Sequence, residues 1–166
     1  MDGKLRNMTS LYIFKDDKVL LLYRQGSRVV NDMWVGSAGG HFEQEELNDA
    51  RACVVREMQE EIGLTPDDIY ELQLRYVTLR RCNEEIRQNY YFFAKLKDEV
   101  DMNLNSNEGI SRWFHLSELS SLEMPFTSKH VIDHYLKIGC NNSNLYGGVA
   151  DGEKIKFIKM PEVKLS

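Results

Sequence analysis

"VVREMQEEIG", residues 54–63, sets Glu57, Glu60 and Glu61 at i, i+3 and i+4. On a helix those spacings bring like charges together, at a cost of roughly 0.2–0.5 kcal/mol per pair. The stretch reads as helical because Val54, Val55, Met58 and Ile62 share one side at about 100° per residue. Asn48 or Asp49 can cap its start, and Gly63 suits a left-handed end. The three glutamates occupy an arc of about 100° beside the apolar side. Ala50 and Cys53 put little bulk there one or two turns earlier, so the carboxylates can converge. They lie in the last two turns, where the helix dipole disfavours anions by roughly 0.3–1 kcal/mol each. A merely solvated acidic face would gain from lysine or arginine at those positions. A divalent cation turns the repulsion into shared attraction, and an all-oxygen donor set suits Mg²⁺ or Mn²⁺. Such an ion beside phosphate implies phosphoryl or nucleotidyl chemistry. Glycosidase-type work needs carboxylates on opposite sides of a bond, which one helix face does not provide.

Outward from this helix, residues 8–14 (MTSLYIF) and 19–23 (VLLLY) read as a hairpin turning at residues 15–18 (KDDK). Residues 24–32 read as a polar loop. Residues 34–40 (WVGSAGG) mix a strand with small residues, where backbone must approach something closely. Residues 65–68 (TPDD) suggest a turn or a new cap. Residues 72–79 and 86–96 read as strands joined by residues 82–85 (CNEE), and 110–115 as another strand. Residues 127–138 have the pattern of an amphipathic helix, and 154–159 (KIKFIK) alternate like an edge strand. The expectation is one domain, residues 1–166, of α+β class with a mixed sheet and at least two helices.

Composition narrows the function. The 166 residues are 42% hydrophobic and 28% charged, ordinary for a soluble domain. No apolar run nears the roughly 20 residues that span a bilayer, and the first ten residues lack a signal-peptide core. A cytoplasmic protein without a membrane partner is expected. The net charge of −5 disfavours a groove for a nucleic-acid polymer, yet leaves room for a small phosphorylated substrate. Cys53, Cys82 and Cys140 are too few and too scattered for a disulfide framework. His130 and His134 lack the glutamate of an HExxH zinc site and read as surface or satisfied histidines.

Residues 39–64, "GGHFEQEELNDARACVVREMQEEIGL", resemble the Nudix box, G-x5-E-x7-R-E-U-x-E-E-x-G-U with U a bulky aliphatic. Arg56, Glu57, Met58, Glu60, Glu61, Gly63 and Leu64 match its second half without a gap. Gly40 and Glu46 match the first half, but nine residues separate Glu46 from Arg56 where the pattern has seven. The first glutamate of the box is therefore Glu46 or Glu43. The resemblance implies an α/β/α sandwich with the mixed sheet between helices. It implies a Mg²⁺-dependent pyrophosphohydrolase, an acid anhydride hydrolase acting on a nucleoside diphosphate linked to another moiety.

On the family pattern, the Gly39 carbonyl with Glu57, Glu60 and Glu61 would hold the metal, and Arg56 would orient glutamates. Glu57 or Glu108 would take the proton from the attacking water, and Glu108, in "NEGISRW", resembles a MutT-type loop glutamate that approaches the metals. Arg24 resembles a phosphate- or ribose-contacting arginine, and Gly40 is assigned to substrate. Residues 87–93 (RQNYYFF) could form an aromatic wall for a base, or simply pack in the core. Ser128, in "MPFTSKHVI", stands where MutT reads oxidised guanine through an asparagine. A hydroxyl cannot make that two-pronged amide contact. Ala38 replaces the usual proline before the glycine pair. Three readings follow: a MutT-like nucleoside triphosphate pyrophosphohydrolase releasing a monophosphate and pyrophosphate; a Nudix hydrolase of ADP-ribose, a nucleotide sugar, a dinucleotide or an isoprenoid diphosphate; or a non-catalytic nucleotide-binding sensor. The chain would act as a monomer or homodimer.

Overall fold

The computed structural model describes residues 3–25 and 32–164. Most of the expected 24–32 loop, residues 26–31, lies outside the described residues. Among the described residues, eight strands form one mixed sheet: β1 (Lys4–Lys15), β2 (Lys18–Arg24), β3 (Met33–Val35), β4 (Ile69–Cys82), β5 (Glu85–Leu96), β6 (Ile110–His115), β7 (Leu145–Ala150) and β8 (Ile155–Met160). The order is β3-β2-β1-β5-β4-β7-β8, with β6 also paired to β2. β1 runs parallel to β5 and β4 parallel to β7; the other pairings are antiparallel.

The alternation of β1 explains why both faces of the sheet are covered. Leu11 and Ile13 pack with Leu20, Leu22, Phe92 and Ala94 under Val54, Met58 and Ile62 of helix α1 (Ala50–Ile62). Tyr12 and Phe14 point the other way. They pack with Tyr76, Tyr91, Phe93 and Phe114 under Val131 and Ile132 of helix α2 (Phe126–Lys137). The result is the expected α/β/α sandwich. The aromatic run of β5 serves both layers: Phe92 and Phe93 are core, and Tyr90 packs against Phe42.

Local signals set the turns. Asp49 caps α1 by accepting from the Ala52 N–H at 3.0 Å, and Gly63 ends it at φ 72°. Asn83 and Glu84, both at positive φ, make the two-residue hairpin between β4 and β5. His130 and His134 are satisfied, by the Phe126 carbonyl at 2.8 Å and the Tyr76 hydroxyl at 2.9 Å. All three cysteines are free. β7 was not expected, because Gly147 and Gly148 interrupt its apolar pattern. Among the described residues, no helix is long and apolar enough to cross a membrane.

One irregularity positions the site. β1 and β2 pair only over Ile13–Lys15 and Lys18–Leu20, then separate. Residues 36–41 enter the gap. Ser37, fully buried, donates its hydroxyl to the Leu20 carbonyl at 2.7 Å and accepts from the Ile13 N–H at 2.8 Å. The Ser37 N–H reaches the Leu11 carbonyl at 2.7 Å, and the Leu11 and Thr9 N–H groups reach the Ala38 and Gly40 carbonyls at 2.7 and 2.8 Å. This wedge opens a cavity beside the C-terminal half of α1.

Candidate active site

The acidic residues of α1 are organised around arginines. Arg56 donates from Nε and Nη2 to both oxygens of Glu46, at 2.7 and 2.9 Å. Its Nη1 reaches Glu57 at 2.9 Å and Glu60 at 3.0 Å, and Nη2 also reaches the His41 carbonyl at 3.0 Å. Glu46 is 7% exposed, and this fork holds its carboxyl at about 2, well below the ordinary value. Glu43 is mostly exposed and 3.9 Å from Arg56. Of the two candidates for the box's first glutamate, Glu46 therefore takes the structural place. Glu46 closes a 3-10 turn at Gln44–Glu46, and the longer connection from there to Arg56 runs through Leu47–Asp49 into α1.

Glu61 belongs to a second group. Its Oε2 accepts from the Gly39 N–H at 2.8 Å, and its Oε1 accepts from Arg24 Nη2 at 2.9 Å. The same Arg24 nitrogen lies 3.6 Å from Glu108. The loop carrying Glu108 is tied to the end of α1, where the Asn107 side chain donates to the Glu60 carbonyl at 3.0 Å and its backbone N–H to the Glu61 carbonyl at 3.3 Å. Those are carbonyls that a helix end leaves without partners. Asn107 was not singled out in the sequence; helix-end satisfaction is the signal that finds it.

The expected convergence of three carboxylates is not seen. Among the described residues, no three His, Cys, Asp or Glu side chains come together as a ready metal cluster. The arginines divide the carboxylates, Arg56 taking Glu57 and Glu60, and Arg24 taking Glu61. The donor chemistry nevertheless fits a hard divalent ion. Burial outweighs the hydrogen bonds at Glu61 and pushes its carboxyl up to about 7, and burial raises Glu57 too despite Arg56. Carboxylates that are penalised for carrying charge are those a cation relieves. Gly39, at φ 150°, turns the backbone so that its N–H meets Glu61; a Cβ there would strike the Thr9 carbonyl. Gly40 lies flush against the Glu57 carboxylate, and it does not line the cavity as a substrate contact would.

That cavity, of about 170 Å³, joins Glu61 and Arg24 to Ser10, Thr78, Asn89 and Ser128. Tyr91 lines it, so one aromatic of residues 87–93 reaches the pocket. The hydroxyls of Tyr12 and Tyr91 are buried beside Ser128. Asn89 donates to the Ser10 hydroxyl at 3.1 Å. Ser10, Thr78 and Asn89 were missed in the sequence, because only strand register shows that they share a wall.

Comparison with known proteins identifies the family and the fold. A model of the NUDIX domain matches residues 4–135. The chain is 23% identical to the MutT protein from Bacillus halodurans, covering 95% of this chain and 99% of that one at a TM-score of 0.63. It is 19% identical to the MutT protein from Methanosarcina mazei Go1, covering 84% and 98% at 0.68. It is 15% identical to a C. elegans Ap4A hydrolase, covering 82% and 99% at 0.65. At these identities the three structures share its fold. No curated protein is similar enough to the chain to count as a match.

Proposed function

The chain belongs to the Nudix family and is a pyrophosphohydrolase of that family, and from that premise we propose that it cleaves a nucleoside triphosphate to a monophosphate and pyrophosphate. The observation that carries this reading is the junction at Glu61. One carboxylate, paired with Arg24, stands at the meeting point of the acidic helix end and the cavity. A nucleotide can therefore lie with its phosphates at α1 and its nucleoside among Ser10, Thr78, Asn89 and Ser128.

Mg²⁺ or Mn²⁺, held by Glu57, Glu60, Glu61 and the Gly39 carbonyl, would supply positive charge to the phosphate oxygens. Glu108, on the far side of Arg24, is the remaining acidic group of this set and a further ligand candidate. In the reaction a water oxygen bonds to phosphorus, the bridging P–O bond breaks, and pyrophosphate leaves with the bond's electrons. Glu57 or Glu108 accepts the water's proton. Arg24 binds a phosphate oxygen from the nucleoside side. Arg56 stays with Glu46 and fixes the rotamers of Glu57 and Glu60. Ser128, 8% exposed, lines the nucleoside end and offers a single hydroxyl.

The test is phosphate and pyrophosphate release with Mg²⁺ over dNTPs, oxidised dNTPs, ADP-ribose, dinucleoside polyphosphates and isoprenoid diphosphates. The same panel is run with Glu60→Gln. Cleavage of a triphosphate to monophosphate and pyrophosphate, lost in the variant, is the expected result. Cleavage of ADP-ribose but not of triphosphates would replace the proposed substrate class. Equal inertness of both proteins on every substrate would leave a nucleotide-binding module.

A further inference from the structure

The sheet carries a row of arginines across three adjacent strands. Arg6 of β1 is registered with Arg87 of β5, and Arg87 with Arg80 of β4. Directly registered residues project to the same face, so three guanidinium groups stand side by side. Like charges placed opposite each other in a sheet are destabilising. The next registered row inward is Met8, Asn89 and Thr78, and the one after it holds Ser10, Tyr91 and Tyr76. The face thus grades from mostly aromatic through uncharged to cationic over three rows.

The row has too little counter-charge. Glu85 is its one carboxylate among the described residues, and a single oxygen serves Arg6 at 4.0 Å and Arg87 at 3.5 Å. Arg80 has no ion pair among the described residues; its guanidinium lies 4.7 Å from the Phe126 ring centre. The buried Nε of Arg87 is the atom that meets Glu85 at 3.5 Å, and it makes no hydrogen bond among the described residues. Three arginines and one glutamate leave a charge of two, the magnitude of a phosphomonoester near neutral pH, about −1.5 to −2. Arg80 and Arg87 line the same cavity as Glu61 and Arg24.

We propose that Arg80 and Arg87, flanked by Arg6, form an anion subsite for a phosphoryl group of the substrate other than the one attacked beside α1. This rests on the proposed nucleotide-hydrolysing function. The neutral row of Asn89 and Thr78 lies between the two charged ends and accommodates the uncharged part of the nucleotide. Guanidinium pairs grip phosphate oxygens in a fork that lysine or an amide does not reproduce. Because the uncharged nucleoside lies between the two ends, the phosphoryl group at this subsite is one carried on the nucleoside, as in a phosphorylated ribose.

Two measurements test the subsite. The first is calorimetric titration of the full chain with inorganic pyrophosphate in EDTA, which does not depend on turnover. Wild type binds; Arg80→Gln and Arg87→Gln each weaken binding about tenfold, in line with losing a charge-assisted pair. Glu85→Gln removes the competing carboxylate and tightens it. Both arginine variants keep the wild-type melting temperature or exceed it, because repulsion is relieved. Unchanged pyrophosphate affinity in Arg87→Gln, or weaker binding in Glu85→Gln, overturns the proposal.

The second measurement compares KM with Mg²⁺ for a nucleoside diphosphate, the matching triphosphate and the diphosphate bearing a 3′-phosphate. Arg87→Gln raises KM only for the diphosphate bearing the 3′-phosphate. A rise on the triphosphate, an equal rise on all three, or none, overturns the subsite. If wild type cleaves none of them, the hydrolase reading falls, while the calorimetry still decides the subsite.

Discussion

The acidic end of α1 and the arginine row of β1, β5 and β4 both gather like charges, yet they handle them in opposite ways. At α1 the counter-charge is built in. Arg56 makes four hydrogen bonds to Glu46, Glu57 and Glu60, and Arg24 takes Glu61. On the sheet, one half-buried glutamate serves Arg6 and Arg87, and Arg80 has no ion pair among the described residues. The first region has its charge matched within the chain before any ligand arrives, each of its carboxylates already held by an arginine. The second keeps unmatched charge, which suits recognition. Like charges side by side therefore do not have one meaning; the partners already present decide it.

The largest effect that would break this contrast concerns Glu57. Glu57→Gln should lower kcat by roughly 10²–10⁴-fold, the range for losing a positioned proton acceptor. Steady-state kinetics with Mg²⁺ measures it, and the melting temperature should hold, since Arg56 keeps Glu46. A variant with near wild-type kcat would leave Glu108 as the base. Next is Arg56→Met. Glu46 would then be buried without its partner, at a cost of about 3 kcal/mol. Urea unfolding should show it, and little change would mean that the arginine fan is not structural.

A smaller effect sharpens the electrostatics. The folded-state carboxyl of Glu46 sits at about 2, below the roughly 4.3 of a free glutamate. Its contribution is therefore complete above about pH 4.3 and fades as pH falls towards 2. The stability gap between wild type and Glu46→Gln should be constant from pH 5 upward and close on acidification. A gap that widened with acid would reverse the sign of the argument. Smallest in stability is Ser37→Ala, which strands the Ile13 N–H and Leu20 carbonyl at about 1–3 kcal/mol for an unsatisfied buried group. Thermal unfolding reads this loss.

Legibility in the sequence followed the range of the interactions. α1 could be read because its caps, apolar side and charge spacing lie within fifteen residues. The β1–β2 turn and the β4–β5 hairpin were equally local. The choice between Glu43 and Glu46 needed the 3-10 turn that folds Glu46 under Arg56. The delivery of Glu108 needed Asn107 docked on the end of α1, a contact between segments more than 40 residues apart. The arginine row was invisible because strand register is a tertiary property: nothing in the spacing of Arg6, Arg80 and Arg87 says that they stand abreast. β7 escaped because its glycines carry no apolar pattern.

The wedge at Ser37 ties recognition to folding. A single hydroxyl stands in for two missing ladder rungs, so the mouth of the pocket and the seam between β1 and β2 are one object. Widening the mouth to admit a bulkier nucleoside would prise that seam apart. Changes of substrate range in this scaffold should therefore arise at the far wall, around Ser128 and Arg80, while residues 36–40 stay fixed as the keystone.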